Sequence, residues 1–233
     1  MPIDDQLLLI RSNGLFAMLS DEDIESLQLI HHFKETEPND YIYFEHQYQQ
    51  CLFFLKEGFV EIGYVDGAGN AQLKELIGPG DVFGNLTLLP GSRPAEYARA
   101  RQSRVSLCMF RQHDFRQLLA RRPDLALHYN AQLGLKLTRF EGKLMNLLHR
   151  DVRQRLLHFL ADLPSQFPQF CQGAGFLLPH HLPHEDLARL IGSSRQSVSE
   201  ILAVLKRSGV VLASRQQLHI PDVSALQKLL DVG

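Results

Sequence analysis

The sequence predicts an α+β chain in three parts: an N-terminal antiparallel β-roll, one long helix, and a C-terminal domain of short helices closed by a β-hairpin. Three observations predict it. Between Tyr41 and Phe110, short apolar or alternating runs are separated by Gly, Asn, Asp or Pro, the punctuation of antiparallel strands. After Arg111 the apolar period lengthens to that of a helix. Further on, two short amphipathic helical patterns meet at Gly192-Ser193-Ser194 and are followed by two brief strand runs. A chain of 233 residues is long enough for two compact domains. The expected division is a roll over 1–122, a long helix over 123–149 and a C-terminal domain over 150–233.

Each element has a local reason. Ser20 followed by Asp21, Glu22 and Asp23 places a hydroxyl cap and acids at the positive end of a helix dipole, which predicts a short helix through Leu29. The strand runs are YIYF, CLFFL, FVEIGYV, AQLKELIG, YARARQ and RVSLCMF. Asp66-Gly67 with Gly69-Asn70 marks a hairpin, and Gly78-Pro79-Gly80-Asp81 a second tight bend. About seven or eight strands in such a span suggest a barrel or jelly roll. Pro123 suits the first turn of a helix, which is expected to run to about His149. In it Leu133, Leu137, Phe140, Leu144 and Leu147 alternate in spacings of four and three, the seam of a coiled coil, with Leu135 and Leu148 as a second apolar flank. The expectation is a homodimer along that seam; the alternative is a helix packed on its own barrel. Asp151 opens another helix through Leu163, and the Pro, Gln and Gly rich stretch 164–175 reads as a loop.

Composition narrows the function classes. With 45% hydrophobic and 21% charged residues the chain has the makings of real cores, so disorder is not the default. No run is long and apolar enough for a membrane span, and the N-terminus lacks the basic flank and cleavage site of a signal peptide; a cytoplasmic protein is expected. Cys51, Cys108 and Cys171 are far apart and odd in number, which argues against a disulfide framework or a paired-cysteine metal site. Residues 1–149 carry 15 Lys and Arg against 19 Asp and Glu, whereas 150–233 carry 9 against 7. That shift is weak by itself, so local motifs must decide.

The deciding motif is LPHEDLARLIGSSRQSVSEILAVLKRSGVV, a helix, turn and helix, with VVLA and LHI as a wing beyond it. At about 100° per residue, Val198, Ile201 and Leu205 share the packing side of the second helix. Arg195, Gln196, Ser199 and Glu200 cluster on the other, with Ser194 and Ser197 at its start. Arginine donates twice to guanine, glutamine pairs bidentately with adenine, and serine serves either, so this face suits the major groove of double-stranded DNA. Phosphate contacts are expected from Arg215 in the wing and from the helix start that carries His184.

With those residues in place, the chain resembles the cyclic-AMP receptor / fumarate-nitrate regulator (CRP/FNR) family. The likeness runs from Leu15-Phe16 and Leu19-Ser20, through Gly78-Pro79-Gly80-Asp81-Val82-Phe83-Gly84, to Gly192-Ser193-Ser194-Arg195 and the wing. It implies a cyclic-nucleotide-binding-like jelly roll as sensor, a dimerisation helix, a hinge near Asp151 and a C-terminal winged helix-turn-helix. The partners it implies are an inverted-repeat operator, a second copy of the chain and RNA polymerase.

The departures from the family matter as much. Members that bind cyclic AMP carry Gly-Glu-Leu and then Arg-Ser in the roll, for the ribose hydroxyl and the phosphate. Here the matching places read Gly84-Asn85-Leu86 and Pro94-Ala95, and the Thr-Ser pair that meets adenine on the long helix is replaced by Phe140-Glu141. Cyclic AMP is therefore not expected as effector, since its phosphate would lack a charge-assisted contact. An iron-sulfur cluster is not expected either, because no cysteine precedes Cys51. Haem is disfavoured, with His31, His32 and His46 as candidate ligands by residue type alone. The effector stays open. Two other classes compete: a metal-dependent cupin-like enzyme, against which the strands offer no His-x-His pair, and an effector-binding module acting on a partner protein. No catalytic or metal-ligating residues are expected.

Overall fold

The structure is a computed structural model that describes residues 16–27, 33–44, 50–88, 95–179, 182–214 and 217–231. The chain divides into two compact units, the first ending at Leu135 and the second beginning at Lys136. The division therefore falls inside the long helix.

After a 3-10 turn at Phe16–Met18, the first unit continues with α1 (Asp21–Ser26). Ser20 and Asp23 close a reciprocal capping box, Asp23 N donating to Ser20 Oγ at 3.2 Å and Ser20 N to Asp23 Oδ2 at 3.0 Å. The helix ends at Ser26, short of the expected Leu29; residues 28–30 lie outside the described part. Eight strands follow: β1 (Phe33–Thr36), β2 (Tyr41–Phe44), β3 (Cys51–Glu57), β4 (Val60–Val65), β5 (Ala71–Ile77), β6 (Val82–Gly84), β7 (Glu96–Ala100) and β8 (Val105–Arg111). They form two antiparallel four-stranded sheets, ordered β1-β8-β3-β6 and β2-β7-β4-β5. The CLFFL run explains the layering. Phe53 and Leu55 point to the interior with Val60, Ile62, Ala98 and Leu107, while Leu52 and Phe54 point outward and are covered. Their cover is α1, α2 (Gln112–Arg121) and the start of α3 (Pro123–His149), through Ile24, Phe115, Leu118, Leu125 and Tyr129. A central strand buried on both faces has no reason to alternate.

Turn chemistry fixes the ends. Asp66 Oδ1 accepts from Ala68 N at 3.0 Å and Asn70 N at 2.9 Å, closing the β4–β5 hairpin. Gly84 has φ +95°, and a Cβ there would stand 2.7 Å from the Cys51 carbonyl oxygen, so the strand pairing itself demands glycine.

The second unit holds the rest of α3 and then α4 (Val152–Gln166), capped by Asp151, whose Oδ1 accepts from Gln154 N at 2.8 Å. Here the sequence reading needs correction. The helix does not stop at Leu163 but takes in Pro164, because buried Leu160, Leu163 and Phe167 hold its last turns and Phe167 N still reaches Leu163 O at 2.8 Å. Nor is 164–175 a plain loop: β9 (Cys171–Gln172) and β10 (Gly175–Leu178) pair across a turn with Gly173 at φ +59°. After α5 (His184–Ile191) and α6 (Arg195–Arg207) come β11 (Leu212–Ala213), β12 (Leu218–Ile220) and α7 (Val223–Asp231). The sheet order is β11-β12-β10-β9, so β10 backs the wing hairpin.

Candidate nucleic-acid interface

Helices α5 and α6 are joined by a turn that the sequence dictates residue by residue. Gly192 takes the left-handed conformation (φ +64°, ψ 53°) that ends α5, and Ser193 N returns to Ala188 O at 2.8 Å. A Cβ on Gly192 would lie 2.8 Å from Leu147 Cδ2, so the end of α3 sits close over this turn. Ser194 then caps α6, its Oγ accepting from Ser197 N at 3.1 Å. Ser197 Oγ lies 2.9 Å from the same hydroxyl.

The buried row of α6 is Val198, Leu202 and Leu205, at spacings of four and three. Ile201, expected in that row, lies at its edge and is half-buried; a stripe centred on 198, 202 and 205 leaves position 201 about 60° off. Arg195, Gln196 and Glu200 are exposed and Ser199 is half-buried. Two of these hold each other, Gln196 Nε2 donating to Glu200 Oε1 at 3.0 Å. Ser199 Oγ donates to Arg195 O at 2.8 Å and lies 2.7 Å from His184 Nδ1. His184 thus turns its Nδ1 toward α6. Ala203 and Val204 are exposed and extend the open face. Sequence reasoning passed over them, although they follow Glu200 at the helical spacings of three and four; apolar groups there suit a thymine methyl. The wing turn closes through Ser214 N to Gln217 O at 2.9 Å, and Arg215 lies outside the described residues.

In the roll, Asn85 is buried, its Oδ1 accepting from Thr87 Oγ1 at 2.7 Å, and Leu86 O accepts from Tyr129 at 2.5 Å. Ala95 adopts φ +62° and offers no charge. Its neighbour Glu96 does: 7% exposed, it accepts from Tyr43 at 3.0 Å and pairs with Lys74 at 2.9 Å. The signal was legible, since Glu96 shares the strand parity of Ala98 and Ala100, which face the roll interior. Pro94, His31, His32 and His46 lie outside the described residues. Among the described residues, no group of three or more His, Cys, Asp or Glu is placed to hold a metal.

On α3, Leu137, Phe140, Leu144 and Leu147 are exposed at 46% or more, as are Leu135, Met145 and Leu148; Glu141 is exposed as well. Leu133, the first residue of the expected seam, differs from these in exposure. It packs partly buried against the first unit's core, near enough to the roll to be covered by it.

Known proteins share this arrangement. Residues 33–122 match the model of the cyclic nucleotide-binding domain, and residues 154–229 that of the Crp-like helix-turn-helix domain. The cyclic AMP receptor protein of Thermus thermophilus is 27% identical over 221 residues, covering 94% of this chain and 98% of its own length. A global nitrogen regulator of Nostoc is 27% identical over 185 residues, 79% of this chain and 82% of its own. Among solved structures, FixK2 from Bradyrhizobium japonicum superposes with a TM-score of 0.70 at 19% identity, covering 84% of this chain and 96% of that one. The molecule is therefore of the class that joins a cyclic-nucleotide-binding-type roll to a helix-turn-helix. The chain belongs to the CRP/FNR family of transcription regulators and carries that family's DNA-binding domain. No described helix is long and apolar enough to cross a membrane.

Proposed function

We propose that the chain is a cytoplasmic homodimer that binds an inverted-repeat operator, two half-sites about one helical turn apart, and acts on transcription through RNA polymerase. The observation that carries this is α6, whose polar face stands open opposite its buried row. Arg195, Gln196, Ser199 and Glu200 read bases; Ser194, Ser197 and Arg215 meet the backbone. His184 serves by holding the Ser199 hydroxyl. The seam of the dimer is Leu137, Phe140, Leu144 and Leu147, with Leu133 contributing little.

The sensor does not answer to cyclic AMP. Asn85 and Ala95 bring no charge to the anchoring positions, and the buried charge beside Ala95 is a carboxylate. Relatives of similar identity are named for cyclic AMP in one case and for nitrogen in another, so this roll need not share either signal.

Selection of binding sites from random DNA tests the reading. A carboxylate accepts from cytosine N4 and cannot donate to guanine, and Gln196 fixes its direction. The wild type is expected to enrich an inverted repeat, and Glu200→Arg to gain a guanine at one position per half-site, with discrimination of roughly 1 to 3 kcal/mol. Identical selections by both proteins would mean that Glu200 reads nothing and that specificity rests with Arg195, Gln196 and Ser199. No enriched sequence at all would favour an effector module acting on a partner protein.

A further inference from the structure

A pocket of about 240 Å³ lies between α5, α6 and the wing, and among the described residues Lys206 is its one full cation. The floor is apolar, from Leu182, Leu187, Leu202 and Leu218; His184 and Ser214 add polar lining. Cavities that enclose drug-sized ligands run to roughly 300–1,000 Å³, so this one suits a single small group. Lys206 is half-buried and has neither an ion pair nor a hydrogen bond among the described residues. Glu200, an acid of the same helix, is six residues away, about 240° around the axis, and is held by Gln196. The terminal Lys and Arg of a helix commonly serve its negative end. Arg207, exposed in the same turn, is free to do that from solvent, whereas Lys206 faces into the pocket. Lys206 also stands two turns beyond Ser199, on the same side of α6, in line with the Ser199–His184 contact.

A helix lying in the major groove is flanked by the phosphates of the strands that wall it. An unpaired ammonium on the flank of α6, beside the wing, complements that charge. We infer that the pocket is a phosphate seat for the DNA backbone, with Lys206 as its cation and the Ser214 region of the wing as its far wall. This rests on the reading that α6 enters the major groove.

The test is the salt dependence of DNA binding by the full chain, measured on the selected operator and on random duplex, for wild type, Lys206→Gln and Lys206→Arg. Loss of one phosphate contact per chain should lower the magnitude of the slope of log Kobs against log salt by about 0.9 per chain. Lys206→Gln is expected to do this on both DNAs, with the same fold-loss on each because a phosphate carries no sequence, and Lys206→Arg to restore it. An unchanged slope in Lys206→Gln, whether or not affinity falls, overturns the seat and leaves Lys206 a packing residue. Stabilisation of DNA-free wild type by millimolar inorganic phosphate at constant ionic strength, together with an unchanged slope, would assign the pocket to a free phosphate instead. A wild type that binds no DNA fails the underlying reading; a wild type that binds with a slope indifferent to Lys206 fails only the seat.

Discussion

His158 shows how much a single side chain can encode. Its Nε2 is buried without a hydrogen-bond partner among the described residues, and burial, helped by the charge of Arg150, pushes its pKa below the ordinary 6.5 despite Asp162 nearby. The folded state therefore takes up its proton later than the unfolded chain does. Stability from this group is present above the unfolded pKa and drains away as pH falls through that value toward the lower, folded one. The thermal midpoint is expected to drop between pH 7.5 and 5.5, and His158→Gln to flatten that drop; parallel profiles would remove the histidine from the explanation. Asp162 works in the opposite sense, its pKa raised chiefly by burial, but at lower pH. Residue-level function was legible wherever backbone chemistry forces an identity, as at Gly192 and the Ser194 cap. It was hidden wherever side chains answer each other: the Gln196–Glu200 bond depends on rotamers, and although strand parity turns Glu96 inward, its partners Tyr43 and Lys74 come from other strands that linear order does not set beside it.

At the scale of elements, period carried the reading. A 27-residue helix with spacings of four and three is visible in any window, and α3 begins and ends at the expected Pro123 and His149. What the period could not separate was apolar surface that faces the chain's own roll from surface that faces outward, because both leave the same stripe. Leu133 falls on the first kind and Leu137, Phe140 and Leu144 on the second. The helix at Leu163 misled for a related reason: proline marks an end only if no tertiary contact outweighs the lost N–H, and here a buried leucine row does. An outward row of four large apolar side chains is costly to leave in water, each worth roughly 1.5–3 kcal/mol when fully buried. If a second α3 covers it, Leu137→Lys or Leu144→Glu would bury an unpaired charge, at a cost of several kcal/mol. Light scattering should then report two chains for the wild type and one for either variant, with operator affinity lost in step. A variant that stays dimeric and binds DNA normally would falsify the seam.

At the scale of the whole molecule, a sensor is useful only if its ligand changes the affinity of a distant site, and that coupling is reciprocal. A ligand that shifts operator binding must itself bind more tightly when operator is present. Cyclic AMP offers this roll one negative phosphate, a ribose and a purine. The phosphate finds no arginine at Ala95, and the adjacent buried Glu96 is already satisfied by Tyr43 and Lys74, so an incoming anion would have to break an existing ion pair. The ribose finds Asn85 turned to Thr87 instead of a carboxylate. Losing a charge-assisted hydrogen bond typically costs about 1.5–3 kcal/mol, or 10- to 100-fold and more in affinity, and two such anchors are gone. Titration calorimetry with micromolar cyclic AMP is therefore expected to show no binding, and operator affinity to be the same with and without it. The decisive comparison adds the operator: if cyclic AMP gives heat only with DNA present, or tightens operator binding by even a few-fold, linkage requires a competent nucleotide site, and Asn85, Ala95 and Glu96 do not exclude the nucleotide. If neither measurement responds, the roll's interior is left to a ligand that tolerates a carboxylate at Glu96, or to the side chains that already fill it.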